Sequence, residues 1–311
     1  MSNKDIKRAS ALFSEYQPGR NRDKNNTGKI HFTGVGGYDV YNITAPFASA
    51  NKTVIAGRVE PRDQENSTVI FFEENDGVWT PIPDAPIFEL QDPFVTVIHN
   101  ELVFGGVEIE EYEGRLIWKT IFYRGTDIFS LTEFFQGPVG MKDIRLCDLN
   151  NGSIGIFTRP QGPIGGRGTI GYAQVNQLEQ LTVDVIESAT LLEGMFHPMD
   201  WGGVNDTCLL DNGEIGVLAH VACYENDRID LERHYYATSF IYSPARKQCR
   251  DYKIIAIRDQ FEDGPAKRKS LSDVIFSSGL RWVDGRTILY AGVSDTEAHW
   301  IEINDPFQSA K

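Results

Sequence analysis

One unit recurs five times along this 311-residue chain: an opening strand, a tight turn, then a second strand rich in glycine and aromatics. It reads YDVYNITAPF, a loop and KTVIAGRV at 38–59, LQDPFVTVIHNELVFGGVEI at 90–109 and MKDIRLCDLNNGSIGIFTRP at 141–160. It returns as GVNDTCLLDNGEIGVLAHVA at 203–222 and SSGLRWVDGRTILYAGVSD at 277–295. The anchors Asp39, Asp92, Asp143, Asp206 and Ser278 recur roughly every 50 to 70 residues, and two further strand-like runs follow most units, so each repeat holds four strands. Four strands and five repeats predict an all-β chain: a five-bladed β-propeller of four-stranded antiparallel blades, opening near 38, 92, 143, 206 and 278.

The rest of the chain fits one domain spanning 1–311. Gly and Pro are spread throughout with no linker. Asn151-Gly152, Asn212-Gly213 and Asp284-Gly285 read as hairpin turns. The only helical hint is ESATLLEGMF at 187–196. The fifth unit shows three clear strands. Its fourth is expected from the N-terminal segment ALFSEY at 11–16, with KIHFTG at 29–34 pairing elsewhere in that blade as the alternative, because closure removes open sheet edges.

Composition narrows the partners. Thirty Lys and Arg stand against 44 Asp and Glu, for a net charge of −14. Such a surface repels phosphodiester backbones and anionic membranes, and suits a neutral ligand such as a small oligosaccharide. No run of apolar residues is long enough to span a bilayer, and the first residues carry no apolar core of a signal peptide. Cys147, Cys208, Cys223 and Cys249 form no CxxC pair and read as reduced, buried thiols. The expectation is a cytoplasmic protein without a cofactor, in an oligomeric state the sequence leaves open.

Acids opening four of five units carry the chemistry. A single loop aspartate usually caps a turn; four at one place in a repeat argue for convergence at the axis. Converging carboxylates serve glycoside hydrolysis, one protonating the leaving oxygen and another activating water. Crowding raises one pKa and makes a proton donor. Calcium binding is the weaker alternative, since no ligand-dense loop is present and no metal-ligand spacing stands out. FHPMDWGGVND at 196–206 gathers His197, Asp200, Trp201 and Asp206, with Trp201 offering an apolar face to a pyranose ring. Tyr38 beside Asp39, and Glu108 at the end of a second strand, are further contacts for a sugar. Asp295 holds the corresponding place in unit five, where hairpin-end acids are usually solvated. GPIGGRG at 162–168 lacks the Lys-Ser/Thr of a phosphate loop and reads as a mobile loop over the site.

Gln91-Asp92-Pro93-Phe94, Lys142-Asp143-Ile144-Arg145 and Arg159-Pro160 resemble the blade-opening motifs of glycoside hydrolase family 130, which acts on β-mannosides. The whole chain is also similar to a bacterial family of unknown function, DUF1861. The resemblance implies that Asp92 is the general acid and that Asp39 or Asp143 activates water or binds hydroxyls. It implies that Lys142 and Arg159 hold a hydroxyl or an anion. Gln91 and Phe94 replace the acid and arginine that flank Asp-Pro in family 130, and no clear second arginine for phosphate follows Asp92. Phosphorolysis needs cationic clamps. The expectation is therefore an inverting, metal-independent hydrolase of a small β-mannoside such as mannosyl-N-acetylglucosamine. A phosphorylase on the same site comes second, and a propeller that only binds carbohydrate or protein comes third.

Overall fold

In a computed structural model, which describes residues 6–16 and 26–308, the chain is built mainly of four-stranded antiparallel groups. The first unit orders Asp39–Tyr41 and Phe47–Ser49 against Lys52–Glu60, then Thr68–Asn75 and Val78–Pro81. The next is Gln91–Ile98, Glu101–Tyr112, Arg115–Gly125 and Thr132–Gln136. Arg145–Asp148, Ile154–Thr158, Gly171–Val175 and Thr190–Leu191 form a third. Trp201–Leu209, Ile215–Tyr224, Arg233–Ser243 and Gln248–Ala256 follow in the same meander. Asp273–Val283, Arg286–Val293 and Glu297–Ile303 complete the series, joined to the preceding group by a short parallel pairing of His234 with Asp273. The opening strands of the second to fifth units lie against one another in turn, and the second unit's also lies against Lys52–Glu60 of the first.

The last group takes its fourth strand from Thr27–Lys29, which pairs antiparallel with Glu297–Ile303. Two residues on, His31–Phe32 pairs parallel with Val78–Pro81 of the first unit. The chain thus crosses the seam between the two ends. KIHFTG contributes to both sides of that seam. ALFSEY does not close the sheet: it lies in the helix Ala9–Glu15, whose Ala9 and Leu12 pack with Val221, Tyr236 and Ile254. The helical hint at 187–196 falls late, since the helix is Val183–Glu187, N-capped by the Thr182 hydroxyl.

Alternation drives these strands. Core clusters between groups are filled by buried aliphatic and aromatic side chains, for example Phe94, Ile98, Phe122, Ile144 and Ile156 between the second and third. Tight turns use residues that tolerate positive φ: Asp284 (50°) and Gly285 (76°) join two strands of the last group. No disulfide links the four cysteines; Cys147 and Cys223 are buried. Among the described residues no helix is long and apolar enough to cross a membrane.

Candidate active site

A local irregularity of the opening strands positions the site. In the first unit Tyr41 pairs with Arg58 and the Thr44 amide reaches the Ala56 carbonyl, so Asn42 and Ile43 together oppose Gly57. In the second, Gln91 pairs with Val107 and Phe94 with Gly105, so Asp92 and Pro93 oppose Gly106. Such a bulge turns one side chain out of the regular alternation. Asn42, Asp92 and Asp143 all have positive φ (43°, 48° and 59°), a region that Asn and Asp tolerate better than most residues. Gly106 makes room, because a Cβ there would stand 2.8 Å from the Gln91 carbonyl oxygen. Local backbone chemistry thus explains why Asn or Asp recurs at this place.

Asp92 is buried, and its Oδ1 accepts from Arg58 Nη1 at 3.0 Å and from Asn42 Nδ2 at 2.8 Å. Lys142 Nζ lies 3.5 Å from its Oδ2. Burial alone raises a carboxyl pKa, but Lys142, Arg58 and the Asn42 amide outweigh it and hold Asp92 well below the usual range. Asp143 is also buried, 3.4 Å from Arg159 Nη1. Burial is again outweighed, here by Arg159 and Lys142, so Asp143 is lowered too. Neither Asp143 oxygen has a hydrogen-bond partner among the described residues. Arg159 Nε donates to the Gly202 carbonyl at 2.8 Å, which fixes the guanidinium.

Glu60, buried beneath this pair, accepts from Arg58, Ser67, Tyr41 and Lys267. Lys267 comes from the loop before the last unit and fastens it to the first. Asp295, in the turn after Arg286–Val293, retains some accessible surface. Burial and the Asp92 charge lift its pKa against the pull of Arg58, to about 6. On the other side His220 Nδ1 is 2.8 Å from Asn205 Oδ1; burial pushes its pKa down to about 3, so the ring is neutral at neutral pH. Arg145 donates to the Asn205 carbonyl at 2.8 Å and covers the Phe94 ring at 4.2 Å. Five cations (Arg58, Lys142, Arg145, Arg159, Lys267) therefore share one neighbourhood with Glu60, Asp92, Asp143 and Asp295, inside a protein of net charge −14.

The structure brings Asp92, Asp143, Lys142 and Arg159 together, places Asp295 in the same field rather than solvated as its hairpin-end position suggests, and leaves the other sequence candidates elsewhere. Asp39 stands three residues before Asn42 and is held by Arg62 at the rim. Asp206 accepts from the Thr207 amide and lies 3.7 Å from Arg281, beside a small cavity with Cys208 and Phe307. Asp200 anchors the N-terminal helix by accepting from the Ala9 amide at 2.7 Å and from Arg8. Trp201 is buried, donates to the Tyr235 hydroxyl at 3.1 Å and packs on Tyr224, leaving little ring for a sugar. His197 accepts from the Met199 amide. Glu108 pairs with Lys119 on a hairpin. Tyr38 is 54% exposed. The segment 162–168, expected to be a mobile loop, carries one helical turn and is pinned where Arg167 donates to the Met199 carbonyl. Arg58, Lys267 and His220 have no signal in the repeat, because they sit on second strands or a connecting loop.

A family profile described as "Protein of unknown function (DUF1861)" matches residues 17–309. No curated protein matches the sequence. Among solved structures, a mannose phosphorylase from Leishmania mexicana in complex with phosphate ion is 37% identical, covering 91% of this chain and 89% of that one, with a TM-score of 0.85. A GDP-Man-dependent mannosyltransferase from the same organism is 34% identical, with coverage of 96% and 95% and a TM-score of 0.87. A β-1,2-mannobiose phosphorylase from Listeria innocua shares the fold at 13% identity, with coverage of 93% and 92% and a TM-score of 0.60.

Proposed function

Because the chain belongs to the DUF1861 family, whose function its description leaves open, we propose that it is a mannosyl-transferring enzyme that cleaves a β-mannoside with inorganic phosphate. Its repeats would form one domain of five blades, with the site where the opening strands converge. The observation that carries this reading is the cation cluster around Asp92. A neutral mannoside attacked by water needs no such set, whereas a phosphate dianion does. The hydrolytic reading also has only a weak base, since Asp39 stands on Arg62 at the rim, and Arg159 and Lys142 hold Asp143 below the usual carboxylate range, which lowers its basicity. The likeness to a phosphate-bound mannose phosphorylase supports the same choice. The four cysteines form no disulfide with one another, which suits a reducing, cytoplasmic setting.

In the reaction a phosphate oxygen attacks the anomeric carbon from the face opposite the glycosidic bond. That bond breaks as Asp92 gives its proton to the leaving oxygen, and mannose 1-phosphate forms with inverted configuration. The proton on the incoming hydrogen phosphate returns to Asp92. Ionised Asp92 needs a reason to take up a proton: phosphate seated against Arg58 and Lys142 weakens their hold on it, and Asp295 stores a proton in the same field. Asp143 accepts from sugar hydroxyls, while Lys142 and Arg159 bind sugar hydroxyls or phosphate.

The test is a product assay on β-mannobiose and mannosyl-N-acetylglucosamine, with and without phosphate, and with GDP-mannose as an alternative donor. Mannose 1-phosphate formed only with phosphate supports the reading. Free mannose at equal rates without phosphate returns the protein to hydrolysis, and transfer from GDP-mannose alone makes it a transferase.

A further inference from the structure

The seam between the last and first units opens into a groove of about 380 Å³ lined by Lys29, His31, Tyr38, Asp39, Thr296 and Glu297. We propose that this groove is an extended subsite that holds the remote sugars of a mannosyl oligosaccharide while its terminal unit reacts at Asp92. The proposal rests on the functional reading above.

Position is the first argument. One wall continues along the chain into the site, from Tyr38 and Asp39 to Tyr41 and Asn42. The other begins next to Asp295, with Thr296 and Glu297 following it directly. A ligand leaving the site along these strands therefore enters the groove. The seam is where the chain passes from one sheet, at Lys29, to another, at His31, and its strands are short there, so the walls part.

Chemistry is the second. The charges in the groove are already matched: Asp39 with Arg62, and Glu297 with Lys29 at 3.0 Å. A locally neutral, hydrogen-bonding groove favours an uncharged polyhydroxyl ligand over an anion or a metal ion. A carboxylate has about four acceptor sites, so Asp39 and Glu297 keep capacity for hydroxyl donors after those contacts. Tyr38, more than half exposed at the rim, presents a ring face of the kind that packs on the apolar side of a pyranose.

The experiment uses full-length protein carrying Asp92→Asn, to prevent turnover, and compares β-mannobiose with β-mannotetraose by titration calorimetry. The tetraose is expected to bind about tenfold more tightly than the dimer, the scale of one aromatic stack with its hydrogen bonds. Adding Tyr38→Ala is expected to bring that ratio close to one. Glu297→Gln gives a second route if Tyr38→Ala impairs folding, and it should lower the ratio as well. Equal binding of the two ligands by the Asp92→Asn protein, or a ratio unchanged by both substitutions, overturns the groove assignment alone. Binding of neither mannoside nor mannose 1-phosphate overturns the functional reading and this one with it.

Discussion

Arg58 Nη1 meets Asp92 Oδ1 at 3.0 Å, joining the second strand of the first unit to the opening strand of the second. Both side chains are buried. Arg58 also reaches Glu60 at 2.8 Å, so one guanidinium orders two carboxylates. Replacing it with Ala takes from Glu60 its main cation and from Asp92 its hydrogen-bonded guanidinium. Breaking a buried pair of this kind costs about 3–5 kcal/mol, so Arg58→Ala should unfold at markedly lower urea than the parent. Arg58→Lys should recover part of the stability while keeping a raised KM for phosphate, because an ammonium cannot reproduce the planar fork. Urea melts and phosphate-dependent kinetics check both; unchanged stability in Arg58→Ala refutes the role given to the pair.

Asp295 gives a pH signature. Its pKa is about 6 in the folded protein, above the unfolded carboxylate value of about 4. The folded state therefore binds this proton more tightly. The resulting stabilisation is full below the unfolded value and is lost as pH rises through about 6. Asp295→Asn removes that loss. The Tm of the variant minus that of the parent should grow between about pH 4 and 7 and then level off. A difference that is flat with pH refutes the raised pKa.

Gly203 tests how tightly the site is built. A Cβ there would lie 2.8 Å from both Asp143 Oδ2 and Arg159 Cδ. Gly203→Ala should push these two apart and cut turnover by about 10²-fold, the cost of an ångström-scale misplacement, with the far-ultraviolet circular dichroism retained. Full activity in this variant shows that the Asp143–Arg159 geometry is unimportant.

Asp200 has a structural task that separates it from the chemistry. Its carboxylate accepts from the Ala9 amide and from Arg8. Asp200→Ala strands a buried donor, at a cost of about 1–3 kcal/mol, and should expose Lys7 and Arg8 to trypsin much faster than in the parent. An unchanged cleavage rate counts against the anchor.

The strand pattern, the hairpin dipeptides and the recurring Asn or Asp were all legible in the residues, because alternation and turn chemistry are local. Asp92 and Asp143 stand out for the same reason, since each opens a repeat unit, whereas Lys142 and Arg159 are pointed to only by the resemblance of their short motifs to family 130. Register was not local. The bulge adds a residue to the opening strand, and whether it falls at position 39 or 42 depends on pairing with the strand Lys52–Glu60. That pairing puts Asn42, not Asp39, beside Asp92. A slip in register sends a side chain to the other face. Arg58, Lys267 and His220 reach the site from other strands and loops, so nothing in their sequence neighbourhood marks them, and Asp295, marked by its place in the repeat, reads as a solvated hairpin-end acid until its neighbours are known. By itself the sequence determined which segments become strands and that an acid recurs where most units open. Only the tertiary structure decided which charges share a low-dielectric pocket, because that depends on distances between residues remote in the chain.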